Sequence, residues 1–216
     1  MNMLAPYTLF WERLSGAIAP QVMLEELDVS HCLVHVDMTA GDHRQEAYRS
    51  LNPVMRIPAL RLPDGKVIGE SSAIMLVLGE AHAGSDLVPA PDDPDRPEFL
   101  FWLTSMAANG YPIFSRAWHP EQFTTNAEAN ESVRQRAESH LAEFFAVMDG
   151  AIAGRPYFLP RGFTALDIYL AMLSEWSADR QALFEANPHV GELCRAVRER
   201  PAYRKVLEMH TAPLAA

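Results

Sequence analysis

Residues 84–97 constrain this chain more than any other stretch. They read Gly84-Ser-Asp-Leu-Val-Pro-Ala-Pro-Asp-Asp-Pro-Asp-Arg-Pro97, with prolines at 89, 91, 94 and 97. Each proline fixes φ and removes an N–H, so neither a helix interior nor a central strand runs well through this segment. A chain of 216 residues can form one large domain or two smaller ones. The proline-aspartate run favours two, and it is read as a linker between residues 1–83 and residues 98–216.

Upstream of the linker the hydrophobic period alternates. Tyr7-Thr-Leu-Phe-Trp11 is β-prone, and Ile18, Val22, Met23 and Leu27 then recur near helical spacing. Leu33-Val-His-Val36 reads as a second strand, and the polar residues 42–51 as a short helix or irregular segment. Residues 59–62 and 67–69 read as strands around Pro63-Asp-Gly-Lys66, a turn in which proline presets φ and glycine tolerates a positive one. A helix over 71–81 closes a β-α-β-α-β-β-α unit, a small α/β sandwich. Downstream there is no strand-like alternation. Residues 99–108, 127–153, 165–177, 188–200 and 201–210 are all helix-compatible, so this half reads as all-helical.

Composition removes several classes of function. With 18 Lys+Arg against 28 Asp+Glu the formal charge is −10, a poor basis for holding nucleic-acid phosphates. No apolar run reaches the roughly 18 residues of a membrane span. Met1-Asn2-Met3-Leu4-Ala5-Pro6 lacks the basic-then-apolar order of a signal peptide. Two distant cysteines, Cys32 and Cys194, form no CxxC, so neither a disulfide framework nor a dithiol redox centre is expected, and a cytoplasmic location is. Cys32, beside an apolar strand, is expected to be buried. The eight histidines show no ligand spacing, so no metal is expected and surface or capping roles are the default. No glycine-rich nucleotide cradle is present. Basic residues from Arg195 to Lys205 alternate with glutamates and read as a solvated helix face.

Two segments carry chemistry. In Asn52-Pro-Val-Met-Arg-Ile-Pro-Ala-Leu60 a proline follows a β-branched residue just before a strand. Two readings are open: a cis bond at Ile57-Pro58 that turns the Ile57 backbone towards an extended peptide ligand, or a trans proline starting an edge strand. In Glu70-Ser-Ser-Ala-Ile-Met-Leu-Val-Leu78, Ser71 stands at a strand-to-helix junction. Either it is a plain N-cap, or the helix terminus receives a carboxylate while a partly buried Glu70 pairs with an ammonium group.

Taken together these two segments resemble the glutathione S-transferase superfamily, most nearly its bacterial beta-like members. The resemblance covers nearly the whole chain. It implies a thioredoxin-like α/β N-terminal domain, a linker and an all-α C-terminal domain. Phe163-Thr-Ala-Leu-Asp-Ile168 is similar to the family's capping box, with Thr164 capping a helix, Asp167 returning a bond to Thr164, and Phe163 and Ile168 as staple.

The resemblance also implies glutathione binding. Ile57, beside Pro58, would pair its backbone with the cysteinyl unit. Glu70 would hold the γ-glutamyl amine and Ser71 its carboxylate. The family places a Tyr, Ser or Cys after the first strand to stabilise the glutathione thiolate, because a free thiol titrates near ~8.5. Here Trp11 and Gly16-Ala17 stand where Tyr and Cys-Ser are frequent, and Tyr7 starts the strand too far back. Ser15 is therefore expected as the catalytic thiol donor, with the backbone N–H groups of Gly16 or Ala17 as the other possibility. Met55 stands where the family often has Gly, and Val77 where it often has an aromatic.

For a second substrate the resemblance points to residues 109–119. Tyr111, Phe114 and Trp118 share helical spacing and would line a hydrophobic electrophile site, or simply be core; Arg116 and His119 would add polar contacts. Gly110 and Pro112 predict a kink there. The expected activity is transfer of the glutathione thiolate to a small hydrophobic electrophile, in a homodimer without nucleic-acid or membrane partners. The rival readings are a transferase-like binding protein without catalysis, and a glutathione-dependent reductive dehalogenase or isomerase. Glutathione is itself an anion, so an acidic protein must attract it through local donors.

Overall fold

A computed structural model of the chain describes residues 5–212, so the signal-peptide reading of residues 1–4 lies outside the described residues. The chain forms two compact units: residues 1–90 with 198–216, and residues 91–197.

The first unit begins with β1 (Tyr7–Trp11), α1 (Ile18–Glu26) and β2 (His31–His35). A turn and the short α2 (Glu46–Arg49) follow, then β3 (Ala59–Arg61), β4 (Val67–Gly69) and α3 (Ser71–Ala81). The sheet order is β2-β1-β3-β4. β1 runs parallel to β2 and antiparallel to β3, which pairs antiparallel with β4. Gly65, at φ +89°, makes the tight turn between β3 and β4. The expected α/β order is present. The expected burial of Cys32 is not: β2 is an edge strand, and Cys32 and Val34 point from its exposed face.

α1 is buried from Ile18 through Leu24, on every side of the helix. A helix apolar all round needs cover on more than one face. α3 supplies part of that cover and the C-terminal helix α10 (Pro201–Thr211) the rest. The sequence reading grouped residues 98–216 as one helical domain, but Tyr203, Val206 and His210 of α10 are buried in the first unit. The basic cluster is more than a solvated face. Arg200 grips both oxygens of Glu26 at 2.7 and 2.6 Å, and Lys205 meets Glu25 at 2.7 Å. A bidentate guanidinium–carboxylate pair fixes orientation as well as charge.

The second unit contains α4 (Arg96–Ser105), α5 (Tyr111–Trp118), α6 (Asn130–Ala151), α7 (Ala165–Glu175), α8 (Arg180–Ala186) and most of α9 (Pro188–Arg198). The linker's last proline, Pro97, sits in the first turn of α4, where its missing N–H costs nothing. Between α4 and α5 the predicted irregularity is a π turn over Met106–Gly110. Pro112 has no N–H to close a regular turn there, and a wider turn absorbs the mismatch. α8 escaped the sequence reading; its signal is Asp179, whose carboxylate accepts the Ala182 N–H at 2.9 Å.

α7 is buried along almost its full length. The capping box fixes its start: Asp167 accepts the Thr164 N–H at 2.7 Å, and Thr164 Oγ1 accepts the Leu166 N–H at 3.3 Å. Asp167 also accepts the Phe158 N–H at 2.7 Å. Its full burial pushes the carboxyl pKa up to about 6, against these donors. Ile168 is buried, while Phe163 lies edge-on to Tyr157. Among the described residues no helix is long and apolar enough to cross a membrane.

Candidate functional site

Strand register gathers three segments at one end of the sheet. Ala59 pairs with Phe10 on one side and with Gly69 on the other. Ile57-Pro58, which enters β3, therefore lies level with Trp11 at the end of β1 and with Glu70 after β4. The turn after β1 leaves from the same end, where Trp11 is opposite His35.

The Ile57-Pro58 peptide is cis, which decides the alternative left open by the sequence. The side chain of Ile57 is buried, and Pro58 is buried beside it. Among the described residues nothing hydrogen-bonds to the Ile57 N–H or C=O, so the strand-pairing groups of that residue are unused. The residues before it are held firmly. The Arg56 carbonyl accepts from Tyr48 Oη at 2.7 Å and from Asn52 Nδ2 at 2.9 Å, while Asn52 Oδ1 accepts the Val54 N–H at 3.2 Å. Met55 sits at φ +54°, a left-handed conformation that explains why glycine suits this position. Sequence reasoning missed the roles of Tyr48 and Asn52; Asn-Pro is a turn signal, and its partners are set only by the fold.

Glu70 differs from expectation. Its side chain is exposed, not partly buried, and its backbone stands at φ 62°, ψ 111°. That region is sparsely populated and costs of the order of 1–3 kcal/mol, tolerated where the surroundings impose it. Glu70, not Ser71, occupies the N-cap position of α3, and its carbonyl accepts the Ile74 N–H at 2.9 Å. Ser71 is the first helical residue and is 6% exposed. The sharp turn at Glu70 thus delivers Ser71 and the first N–H groups of α3 to the end of the sheet.

The turn after β1 is crowded with partners. Glu12 Oε1 accepts the Arg13 N–H at 2.6 Å and meets His35 Nε2 at 3.0 Å; Oε2 accepts the Met38 N–H at 2.9 Å. Burial opposes ionisation of Glu12, but these donors prevail and hold its pKa below the ordinary carboxylate value. Ser15 Oγ donates to the Glu12 carbonyl at 2.7 Å and accepts the Ala17 N–H at 3.2 Å. The Gly16 N–H has no acceptor among the described residues. Tyr7 is four residues before Trp11, about 13 Å along the strand, and its hydroxyl meets His82 Nε2 at 3.1 Å.

In the second unit the aromatic residues of α5 converge on Trp176, a residue the sequence reading did not single out. Tyr111 and Phe114 lie edge-on to it at 4.8 and 5.5 Å, and Trp118 Nε1 donates to its carbonyl at 3.1 Å. Phe114 is also edge-on to Phe145 and is 3% exposed, whereas Trp118 is 56% exposed. Tyr111 is half-buried. Arg116 lies over the Phe123 ring at 5.6 Å, and His119 is 3.6 Å from Glu121. Arg116 also lines an open cavity of about 410 Å³ with Ser132, Arg136 and His140, which none of the three aromatic residues borders.

Comparison with known proteins agrees with this architecture. Residues 19–81 match the family described as glutathione S-transferase, N-terminal domain. The chain is 27% identical to glutathione S-transferase 3 of Zea mays, over 94% of each chain. Among solved structures, a glutathione transferase homolog from Sulfitobacter with bound glutathione superposes with a TM-score of 0.88 at 20% identity, covering 97% of this chain and all of that one. A sphingomonad glutathione S-transferase complexed with glutathione gives 0.82 at 26% identity, covering 95% and 100%. The chain is thus similar to glutathione S-transferases in the matched N-terminal segment, at low identity along most of its length, and in its fold.

Proposed function

We propose that this chain is a glutathione transferase, joining the glutathione sulfur to a small hydrophobic electrophile. The observation that carries the reading is the unpaired Ile57 backbone, rigidly presented beside Pro58 at the sheet end where α3 begins. An extended peptide can add its own N–H and C=O there, as a further strand would. Ser71 and the α3 terminus suit the γ-glutamyl carboxylate, and exposed Glu70 suits the adjacent ammonium.

Catalysis on this reading requires only that the thiol lose its proton to water and that the resulting thiolate be stabilised. Ser15 is the side-chain donor and Gly16 N–H the backbone donor. The Ser15 proton now rests on the neutral Glu12 carbonyl. A hydrogen bond to an anionic acceptor is roughly twice as strong, so rotation towards a thiolate is favourable. The thiolate then forms an S–C bond with the electrophile, whose leaving group departs with the electron pair. Within the second unit, Tyr111, Phe114 and Trp118 cluster on Trp176 and offer apolar surface of the kind a hydrophobic electrophile needs.

Calorimetry with glutathione tests the binding step; no heat at millimolar concentration refutes the reading. Conjugation of standard electrophiles tests the chemistry, and Glu70→Ala and Ser71→Ala should each abolish most of it. Glutathione binding without any conjugation would favour the non-catalytic alternative.

A further inference from the structure

His210 has no role in the readings above, yet it is fully buried at the end of α10. Its Nδ1 accepts the Leu14 N–H at 3.1 Å, and its Nε2 is 2.9 Å from Gln21 Oε1. A backbone N–H can only donate and an amide oxygen can only accept. Nδ1 is therefore the bare nitrogen and Nε2 carries the proton. Gln21, 2% exposed, is held in turn by its Nε2 on Met209 Sδ at 3.5 Å. Burial, then the Arg13 guanidinium, push the His210 pKa down to about 4 against the pull of Glu12, so the ring is neutral at working pH.

The same helix end grips the turn at further points. Arg13 donates to the carbonyls of His210 and Thr211 at 3.2 and 2.9 Å, and Trp11 packs on the imidazole at 4.9 Å. Between them Leu14 stands at φ +46°. A non-glycine residue rarely adopts that conformation, and it stays there when its surroundings hold it. Leu14 immediately precedes Ser15 and Gly16, the two donors assigned to the thiolate.

We propose that His210 is a positioning residue for thiol activation: its fixed Nε2–H tautomer pins the Leu14 N–H, and thereby sets the direction of the Ser15 and Gly16 donors. The inference rests on the glutathione reading above. In this arrangement the last helix of the chain, 195 residues after Ser15 in sequence, determines how well the thiolate is held.

The test compares His210→Phe, which removes both ring nitrogens, with His210→Asn, whose amide oxygen can replace Nδ1 as acceptor. Bound glutathione is titrated by its ultraviolet thiolate absorbance, and its affinity is measured separately by calorimetry. His210→Phe should raise the pKa of the bound thiol by ~1 unit, a tenfold loss of thiolate. Affinity should change less than ~threefold, since the Ile57, Glu70 and Ser71 contacts are untouched, and His210→Asn should recover at least half of the shift. A folded His210→Phe protein that titrates like wild type overturns the proposal.

Should His210→Phe not fold, Gln21→Leu serves. It removes the acceptor of the Nε2 proton, so the imidazole nitrogen shifts should report mixed tautomers and the thiol pKa should rise in the same direction. An unchanged titration in Gln21→Leu overturns the proposal equally. A wild-type protein that binds no glutathione, or leaves the thiol at its free value, overturns the glutathione reading and this inference with it. A wild type with a lowered thiol pKa and unshifted variants overturns the role of His210 alone.

Discussion

The Arg56 carbonyl offers a sharp test of how the candidate site is held. It accepts from two buried donors, Tyr48 Oη at 2.7 Å and Asn52 Nδ2 at 2.9 Å, and it lies one residue before the Ile57-Pro58 bond. Burial raises the Tyr48 phenol above its ordinary pKa, so it remains a donor at working pH. Tyr48→Phe removes one neutral hydrogen bond but leaves the carbonyl its Asn52 partner, a loss of about 1 kcal/mol. Asn52→Ala removes that partner and the acceptor of the Val54 N–H; Val54 is 60% exposed, so water can replace the second bond. Its cost is about 2 kcal/mol. In the double variant the carbonyl loses both donors, and an orphaned acceptor adds a penalty of roughly 1–2 kcal/mol that neither single change incurs. The double variant should therefore fall short of wild type by about 4–5 kcal/mol, more than the sum of the singles. Urea denaturation followed by circular dichroism measures all four corners of the cycle. Glutathione affinity should fall a few-fold in each single variant and more than ~tenfold in the double, because the loop that presents Ile57 is released. Strict additivity, within about 0.5 kcal/mol, would show that the two donors do not share the carbonyl's stabilisation and would refute the reasoning.

Other consequences follow from single contacts. Asp167→Ala leaves the buried N–H groups of Phe158 and Thr164 without acceptors and should cost about 3–5 kcal/mol, read as a lowered thermal midpoint. At Gly154 an added Cβ would stand 1.8 Å from the Leu159 carbonyl oxygen, a backbone atom that cannot swing away. Gly154→Ala should therefore cost ~3 kcal/mol or prevent folding, whereas Gly150→Ala, with open space around it, should be neutral or stabilising by up to ~1 kcal/mol. His210 gives a pH dependence of definite sign. Its pKa is depressed from 6.5 to about 4 on folding, so the unfolded chain takes up the proton first as pH falls. Stability is lost between pH 6.5 and 4, by about 3 kcal/mol in total. Asp167 contributes with the opposite sign over an overlapping range, since burial raises its pKa to about 6. The comparison is therefore wild type minus His210→Asn: the difference in unfolding free energy should shrink as pH falls through that window, and a constant difference would refute the assignment.

Much of this architecture is legible in the sequence because it rests on local patterns. Period switching gave the strand and helix order of the first unit, and the Thr164–Asp167 spacing gave the start of α7, since a cap acts over three residues. The exposure of Cys32 was not legible, because an edge strand and a central strand have similar apolar content. α8 was missed because seven residues carry too little periodicity. The basic residues near the C-terminus looked solvated until α10 proved to lie on α1, where Glu25 and Glu26 meet Lys205 and Arg200.

The sequence by itself determined the fold class, an α/β unit followed by helices, and most of the element order, through prolines, hydrophobic period and motifs that act within a few residues. It also marked Ile57, Pro58, Glu70, Ser71 and Ser15 as the residues to watch. Only the tertiary structure decided how they meet. Ala59 joins Phe10 and Gly69 by strand pairing across separations of 49 and 10 residues, and that register brings the three segments to one sheet end. The left-handed Leu14 and the tautomer of His210 are likewise long-range outcomes. Each is a local conformation or proton position that the neighbouring residues do not favour on their own, and each is fixed by a partner that chain folding carries in from elsewhere.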